Sequence, residues 1–297
     1  MGDNNIKEQI AIISILFKSD DLLDDFFYSL SLQIDVDFTL FLLNNDENDK
    51  TKSLVQELER KYNFVNPVRY IESDHNTGFA RGNNLVIKEV LKEDFEYILL
   101  ANNDVFFNQR NLLSSLKQRC ENNKVITPKI LYHGTDKIWF SGGHINKYKG
   151  LNIHEDEFKS DSLVNQSERL VDFAPACFLM VKKEVFTTVG TFDEKYFVYW
   201  EDVDFCLRLR NLGYNITLAP ALYIEHKVSV STGGRASLFS TYYFLRNRLY
   251  FIHKHFNGWS KIISLLYIYL TTIIKIIIFD FPRKKVLIKA IVDFKKM

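Results

Sequence analysis

Residues 197–213 read FVYWEDVDFCLRLRNLG and set Glu201, Asp202 and Asp204 among Phe197, Tyr199, Trp200 and Phe205. Aromatic neighbours imply burial, and a buried carboxylate is costly unless it is paired, bound to metal or used in catalysis. A carboxylate walled from water and held ionised near a metal or a hydroxyl is a good general base. The plain alternative is capping. Phe205, Leu209 and Leu212 recur at helical spacing, Gly213 suits a C-terminal cap, and acids gain from the dipole at a helix N-terminus. Capping accounts for one acid, or two, but not for the FVYW that precedes them. The spacing predicts a helix from Asp202 to Leu212 in which Asp204 and Arg208 pair four residues apart.

Three further stretches carry chemistry. In NNDVFF (102–107), Asp104 follows an apolar strand and could hold a divalent cation that neutralises a diphosphate leaving group; three such residues alone also read as a turn. In HNTGFARGNN (75–84), Gly78 and Gly82 permit a tight strand-to-helix turn and close approach of a ligand, the helix start favours an anion, and Arg81 adds charge. The same pattern suits an ordinary βα loop. His226, in IEHKVSVS, is expected beyond the strand YNITLAP (214–220), and it becomes a ligand only if the fold brings it to Asp104.

The elements that must position these residues alternate. Strands are expected at IAIISILF (10–17), FTLFLLN (38–44), VRYIES (68–73) and YILLAN (97–102), with helices over 20–33, 51–63 and 80–93 between them. This alternation implies βαβ units, an α/β class and a mostly parallel sheet flanked by helices. Ligands bind beyond the carboxyl ends of such strands, which places 44–51, 73–83 and 102–107 on one rim. Residues 141–152 read as a hairpin, 155–168 as a mobile loop, and 173–186 as a strand entering a helix.

Composition sets the bounds. The 297 residues carry a net charge of +1, which gives no bias toward nucleic acid. Cys120, Cys177 and Cys206 are far apart and odd in number, the pattern of reduced cytosolic thiols rather than of a zinc site or disulfide framework. The start, MGDNNIKEQIAIISILF, has acidic residues and a short apolar run, unlike a secretory signal. The charge is uneven: Lys254–Met297 holds nine Lys or Arg against two Asp. Within it, Ile262–Phe279 is almost wholly apolar and close to bilayer-spanning length, but Lys275 interrupts it. Lys261, Ser264, Thr271 and Lys275 share one helical face, a pattern suited to lying in a membrane interface, with Arg283, Lys284, Lys285, Lys289, Lys295 and Lys296 to attract anionic lipid. A helical hairpin packed on the rest of the chain, or a homodimer interface, is the alternative.

Together and in this order, these motifs resemble the bacterial family-2 glycosyltransferases with a GT-A fold, especially the rhamnosyltransferase-like members. The likeness runs from about residue 10 to 256 and is most specific in ACFLMVKKEVFTTVGTFDEKYFVYWEDVDFCLRLRNLGYNITLAPALYIEH and YYFLRNRLYFIHKH. It implies a catalytic unit over 1–256, with 257–297 as basic membrane-associating or oligomerisation helices. It implies a nucleotide pocket lined by Phe17 of the first strand's loop. Asn44 and Asp46 fall in the loop that meets the base, where the family usually has Asp before Asn. Asn76, Gly78, Arg81 and Asn84 fall at the nucleotide sugar. NNDV stands at the DxD position, so Asn103 would contact the donor, and Asp104 with His226 would hold Mg²⁺ or Mn²⁺. In WED, Asp202 would be the base and Glu201 would orient the acceptor. The implied reaction is inverting transfer of rhamnose or a hexose from dTDP-rhamnose or a UDP-sugar to a glycan or lipid-linked glycan, in the cytoplasm at the inner membrane face. A non-catalytic nucleotide- or carbohydrate-binding subunit on the same fold is the competing expectation, motivated by Asn44 and Asn102. A sugar nucleotidyltransferase is weaker still, since ISILFKSDD is not a Gly-rich basic loop.

Overall fold

The computed structural model describes residues 9–46, 50–228 and 237–297. Residues 47–49 of the expected base loop, and those following Val228 in IEHKVSVS, lie outside the described residues. The chain first builds β1 (Gln9–Leu16), α1 (Leu23–Ser31), β2 (Phe38–Asn44), α2 (Lys50–Lys61), β3 (Val68–Glu72), α3 (Gly78–Val90) and β4 (Phe95–Ala101). β2 is buried along its whole length and β1 nearly so, as continuous apolar runs require in a sheet covered on both faces. β5 (Val105–Phe106), α4 (Leu112–Asn123), β6 (Val125–Tyr132), β7 (Ile138–Phe140), β8 (Gly143–Asn146) and β9 (Leu151–His154) follow. Then come β10 (Arg169–Val171), β11 (Phe178–Lys182), α5 (Lys183–Val189), α6 (Glu201–Asn211) and β12 (Ile216–His226).

One ten-stranded sheet runs β10-β12-β6-β11-β4-β1-β2-β3, with β5 paired to β12 and β7 to β6. The parallel arrangement expected from the βαβ pattern holds for β4-β1-β2-β3 and for β6-β12. Where β11 inserts antiparallel between β4 and β6, the sheet becomes mixed. The expected hairpin is β8-β9. The stretch 155–168, expected to be a loose loop, is fastened: Lys129 pairs with Asp161, and Val164 is buried against Leu131 and Ile138.

His226 is the last residue of β12, not a residue beyond the strand. The strand does not stop at Pro220, because its pairing with β6 shifts register between Ala219 and Tyr223 and then resumes. A bulge accommodates the proline, which has no N–H to give the ladder.

The chain ends in α7 (Leu238–His255), α8 (Gly258–Ile278) and α9 (Phe281–Phe294). The boundary expected at residue 256 is not a break in packing. α9 folds back on α7, burying Leu287 and Ala290, and Tyr242 Oη donates to Asp293 at 2.8 Å. α8 buries Ser264, Ile268 and Thr272 and turns Leu266, Leu270, Ile273 and Ile277 outward. A helix that faces its small polar residues inward and its aliphatic ones outward inverts the soluble pattern.

Candidate active site

The carboxyl ends of β1, β2 and β4 open onto a cleft of about 1500 Å³. Phe17, Asn76, Gly78, Asn103, Asp104, Glu201, Asp202 and His226, eight of the residues singled out from sequence, line it. Asn44, Asp46, Arg81 and Asn84 do not. Asn44 accepts from the Asp46 N–H at 3.1 Å within its own turn. Arg81 points to Glu194, 3.9 Å away. Asn84 is buried behind the cleft, donating to the Phe192 carbonyl at 2.8 Å and accepting from the Phe192 N–H at 2.9 Å. The residue sequence reasoning missed is Asn45. It is buried at the rim, donates to the Gly78 carbonyl at 3.1 Å and accepts from the Thr77 N–H and hydroxyl. Two adjacent asparagines are indistinguishable until the strand register assigns their faces.

Gly78 has φ +77°, and a Cβ there would lie 2.4 Å from the Phe197 carbonyl oxygen. This close approach lets the Phe79 N–H donate to Phe197 at 2.7 Å and joins the two loops across the cleft. Next to Phe197, Tyr199 and Trp200 both adopt left-handed backbone, φ 68° and 78°. Two such aromatic residues in succession are strained and persist only where the surroundings impose them. Asn247 of α7, fully buried, imposes this turn: its Nδ2 donates to the Val198 and Tyr199 carbonyls, each at 2.8 Å. Replacing Asn247 with Ala is expected to destabilise the fold by about 1–3 kcal/mol, read by thermal unfolding. An unchanged melting temperature would mean the turn holds without it.

The turn delivers Glu201 and Asp202 to the start of α6. Asp202 accepts from the Val203 N–H at 2.8 Å and the Ala176 N–H at 3.4 Å. Burial raises its pKa above the usual carboxylate value. Glu201 is more deeply buried, its Oε2 has no hydrogen-bond partner among the described residues, and burial and the neighbouring Asp202 push its carboxyl well up. The two environments set the pair apart: burial and the neighbouring Asp202 raise Glu201 well up, while the Val203 and Ala176 N–H donors oppose the rise at Asp202, so Glu201 holds a proton more tightly than Asp202 does. Asp204 faces away from the cleft. Its carboxylate lies 2.8 Å from Arg208 Nε and 2.7 Å from both Lys254 Nζ and His255 Nε2. Burial alone would raise its pKa; these partners outweigh burial and hold it at about 2.

β5 brings the DxD-like residues to the other wall. Val105 pairs with His226, and Lys227 N–H donates to the Asp104 carbonyl, so Asp104 Oδ1 and His226 Nε2 lie 3.1 Å apart. Burial pushes the Asp104 pKa up, and His226, with hydrogen bonding from Asn102, draws it below the ordinary value. Asn103 is occupied, donating to Ser19 Oγ at 2.6 Å and so fixing the Phe17–Ser19 loop. Among the described residues no three His, Cys, Asp or Glu side chains converge as a closed metal site. A two-ligand site fits a hard cation that takes its remaining ligands from phosphate and water. Four buried polar atoms without a hydrogen-bond partner among the described residues, Glu201 Oε2, Trp139 Nε1, Trp200 Nε1 and His226 Nδ1, belong to residues lining this same cleft, as expected where a polar ligand completes the bonding.

Residues 11–190 match the model of glycosyl transferase family 2. The chain is 25% identical over 204 residues to rhamnosyltransferase WbbL of Escherichia coli, covering 62% of this chain and 76% of that one. A shorter stretch of 88 residues is 39% identical to the N-acetylglucosaminyl-diphospho-decaprenol L-rhamnosyltransferase of Mycobacterium tuberculosis, 28% of this chain and 29% of the relative. Among solved structures, the mannosyltransferase of Pyrobaculum calidifontis in complex with GDP-Man and Mn²⁺ has the same fold, with TM-score 0.59 and 10% identity over 95% of this chain and 79% of that one.

Proposed function

The chain belongs to glycosyl transferase family 2, and from that premise we propose an inverting transferase that moves rhamnose or a hexose from a nucleoside-diphosphate sugar to a hydroxyl of a glycan or lipid-linked glycan. The observation that carries this reading is the placement of Asp202 and the Asp104–His226 pair on the walls of one cleft. Asp202 takes the proton of the acceptor hydroxyl, whose oxygen attacks the anomeric carbon from the face opposite the nucleotide. The new C–O bond forms as the bond to the diphosphate breaks, so the configuration inverts in one displacement. Neutral Glu201 donates a hydrogen bond to the acceptor. Asp104 and His226 would hold Mg²⁺ or Mn²⁺, whose charge offsets that of the departing diphosphate. Incubation with a panel of nucleotide sugars and Mn²⁺ tests the reading; neither transfer nor hydrolysis with any of them, and no nucleoside-diphosphate binding, would sink it.

For the cation, Asp104→Ala is expected to weaken nucleoside-diphosphate binding roughly ten- to a hundredfold in Mn²⁺ and to change little in EDTA. Equal affinity of the wild type with and without EDTA would remove the metal from the reading.

The reading places the enzyme in the cytoplasm, against the inner membrane face. α8 is long and apolar enough to cross a bilayer, with mean hydropathy 1.9 and little of it buried. Lys275 inside it, and the basic residues along α9, favour lying in the interface with the outward aliphatic face in lipid. The 297-residue chain is expected to sediment with anionic vesicles at low salt and to be released by high salt. Lys284→Glu with Lys285→Glu is expected to weaken that binding by tenfold or more, at about 1 kcal/mol per charge. A chain that ignores vesicles at every salt concentration would make this face an oligomer contact instead. Removing residues 258–297 is the poorer test, because it strips α9 from α7.

A further inference from the structure

We propose that Arg248 of α7 and Lys275 of α8 form an anion subsite at the far end of the cleft, suited to the phosphate or diphosphate of a ligand that also carries an apolar chain. This deepens the proposed function and rests on it: the ligand is the lipid-linked acceptor, and the subsite holds the group that joins its sugar to its lipid.

The first observation is continuity. The cleft wall that includes Asp104, Asp202 and His226 also includes Arg248, Lys275, Phe279 and Leu287, so one space runs from the base to the C-terminal helices. The second is charge without compensation. Arg248 is partly buried, and its Nε donates to the Gly150 carbonyl at 2.9 Å and its Nη2 to the Lys149 carbonyl at 2.5 Å. The guanidinium lies over the Tyr267 ring, 5.7 Å from its centroid, but among the described residues no carboxylate pairs with it. Burial draws its pKa down to about 10. Lys275 also lacks a carboxylate partner, and burial with the nearby Arg248 lowers its pKa. Two cations that line one cleft and repel each other, with no acid pairing either among the described residues, are unfavourable unless an anion joins them. None of the four acids of the wall pairs with either cation: Asp104 meets His226, Glu157 the Tyr132 hydroxyl, Asp202 the Val203 and Ala176 N–H groups, and Glu201 forms no ion pair among the described residues. Lys275 is also the charge that interrupts the apolar run of α8, a costly placement that an anion at this end of the cleft would repay.

The third observation is what lies beyond the pair. Ile274, Ile277, Ile278 and Phe281, on either side of it along the chain, are exposed and apolar. An anion seated on Arg248 and Lys275 would therefore have the donor site on one side and a lipid-compatible surface on the other. A free sugar needs neither feature; a sugar on a phosphorylated lipid needs both.

The test is calorimetric titration of the 297-residue chain with farnesyl diphosphate and with farnesol, in EDTA to silence cation-dependent diphosphate binding at Asp104. The diphosphate is expected to bind at least tenfold tighter than the alcohol, and Lys275→Glu is expected to erase that advantage while Lys275→Arg keeps it. Lys275 reaches solvent as well as the cleft and its side chain has no hydrogen-bond or ion-pair partner among the described residues, so its variants are expected to melt with the wild type. Arg248→Gln, which can still bond the hairpin carbonyls, is expected to match Lys275→Glu. Unchanged farnesyl diphosphate affinity in both charge-removing variants would overturn the subsite. So would a Lys275→Glu chain that loses phosphatidylglycerol vesicles but keeps farnesyl diphosphate, since the pair would then be reading bilayer headgroups. Failure of sugar transfer is scored separately with nucleotide sugars, and Lys275-dependent binding in a chain without transfer would leave the subsite standing while the proposed reaction fell.

Discussion

Replacing Asp202 with Asn is expected to lower the rate of sugar transfer by about 10²–10⁴-fold, the usual contribution of a positioned general base. Asn keeps the shape but has one acceptor oxygen where Asp202 uses two, so it can accept from the Val203 N–H while giving up the longer Ala176 bond, and nucleoside-diphosphate affinity is expected to stay within a few-fold of wild type. A wild type that binds nucleotide but never turns over would favour the competing reading, a non-catalytic binding subunit. The partner experiment is Glu201→Gln. Burial and the neighbouring Asp202 push the Glu201 carboxyl well up, which favours its neutral form, so the amide stands in for a protonated acid and is expected to cost far less than Asp202→Asn. The pH profile follows from the same environment. Asp202 works deprotonated, and burial raises its pKa, so activity is expected to fall as pH drops through a value above the ordinary carboxylate range. A profile flat down to pH 4, or equal losses in the two variants, would reverse the assignment of base and neutral partner.

The second large effect concerns the acid that stays out of the cleft. Asp204→Ala is expected to cost about 3–5 kcal/mol, the usual result of removing one partner from a buried charge cluster. Arg208 and His255 would lose their carboxylate, and Lys254 would keep only Asp193. For a chain of this size the melting temperature is expected to drop on the order of 10 °C. Because the folded carboxyl sits near pH 2, below its ordinary 3.8, its contribution is complete above about pH 4 and is lost as pH falls toward 2. Wild-type stability should therefore show an acid-side decline between those values that the variant lacks. The cluster also ties α6 to α7, so the variant is expected to loosen the turn that carries Asp202. Unfolding curves that superimpose at neutral pH would show that the cluster contributes no net stability.

Helical and strand periodicities in the first hundred residues, the carboxyl-end rim and the pairing of Asp204 with Arg208 were all legible in the one-dimensional pattern. They are local: a period of two or 3.6 residues, or a spacing of four, fixes which side chains share a face. The cluster FVYWEDVD carried its signal in composition alone, because acids among aromatics demand an explanation whatever the fold. Several facts were decided only by tertiary structure. One is which of two adjacent asparagines meets the cleft: Asn45 rather than Asn44, since β2's register sets the face. Another is the approach of His226 to Asp104, which depends on a bulge at Pro220 and on β5 pairing with β12 across more than a hundred residues. The clamp of Asn247 on the Tyr199–Trp200 turn leaves no mark in either segment, because left-handed backbone at two aromatic residues is imposed from outside rather than preferred by them. The same holds for the C-terminal helices. Sequence marked them as apolar and basic, but only packing could show that α8 hides Ser264 and Thr272 and presents its aliphatic side outward, because a helix's buried face is chosen by its neighbours as much as by its own residues.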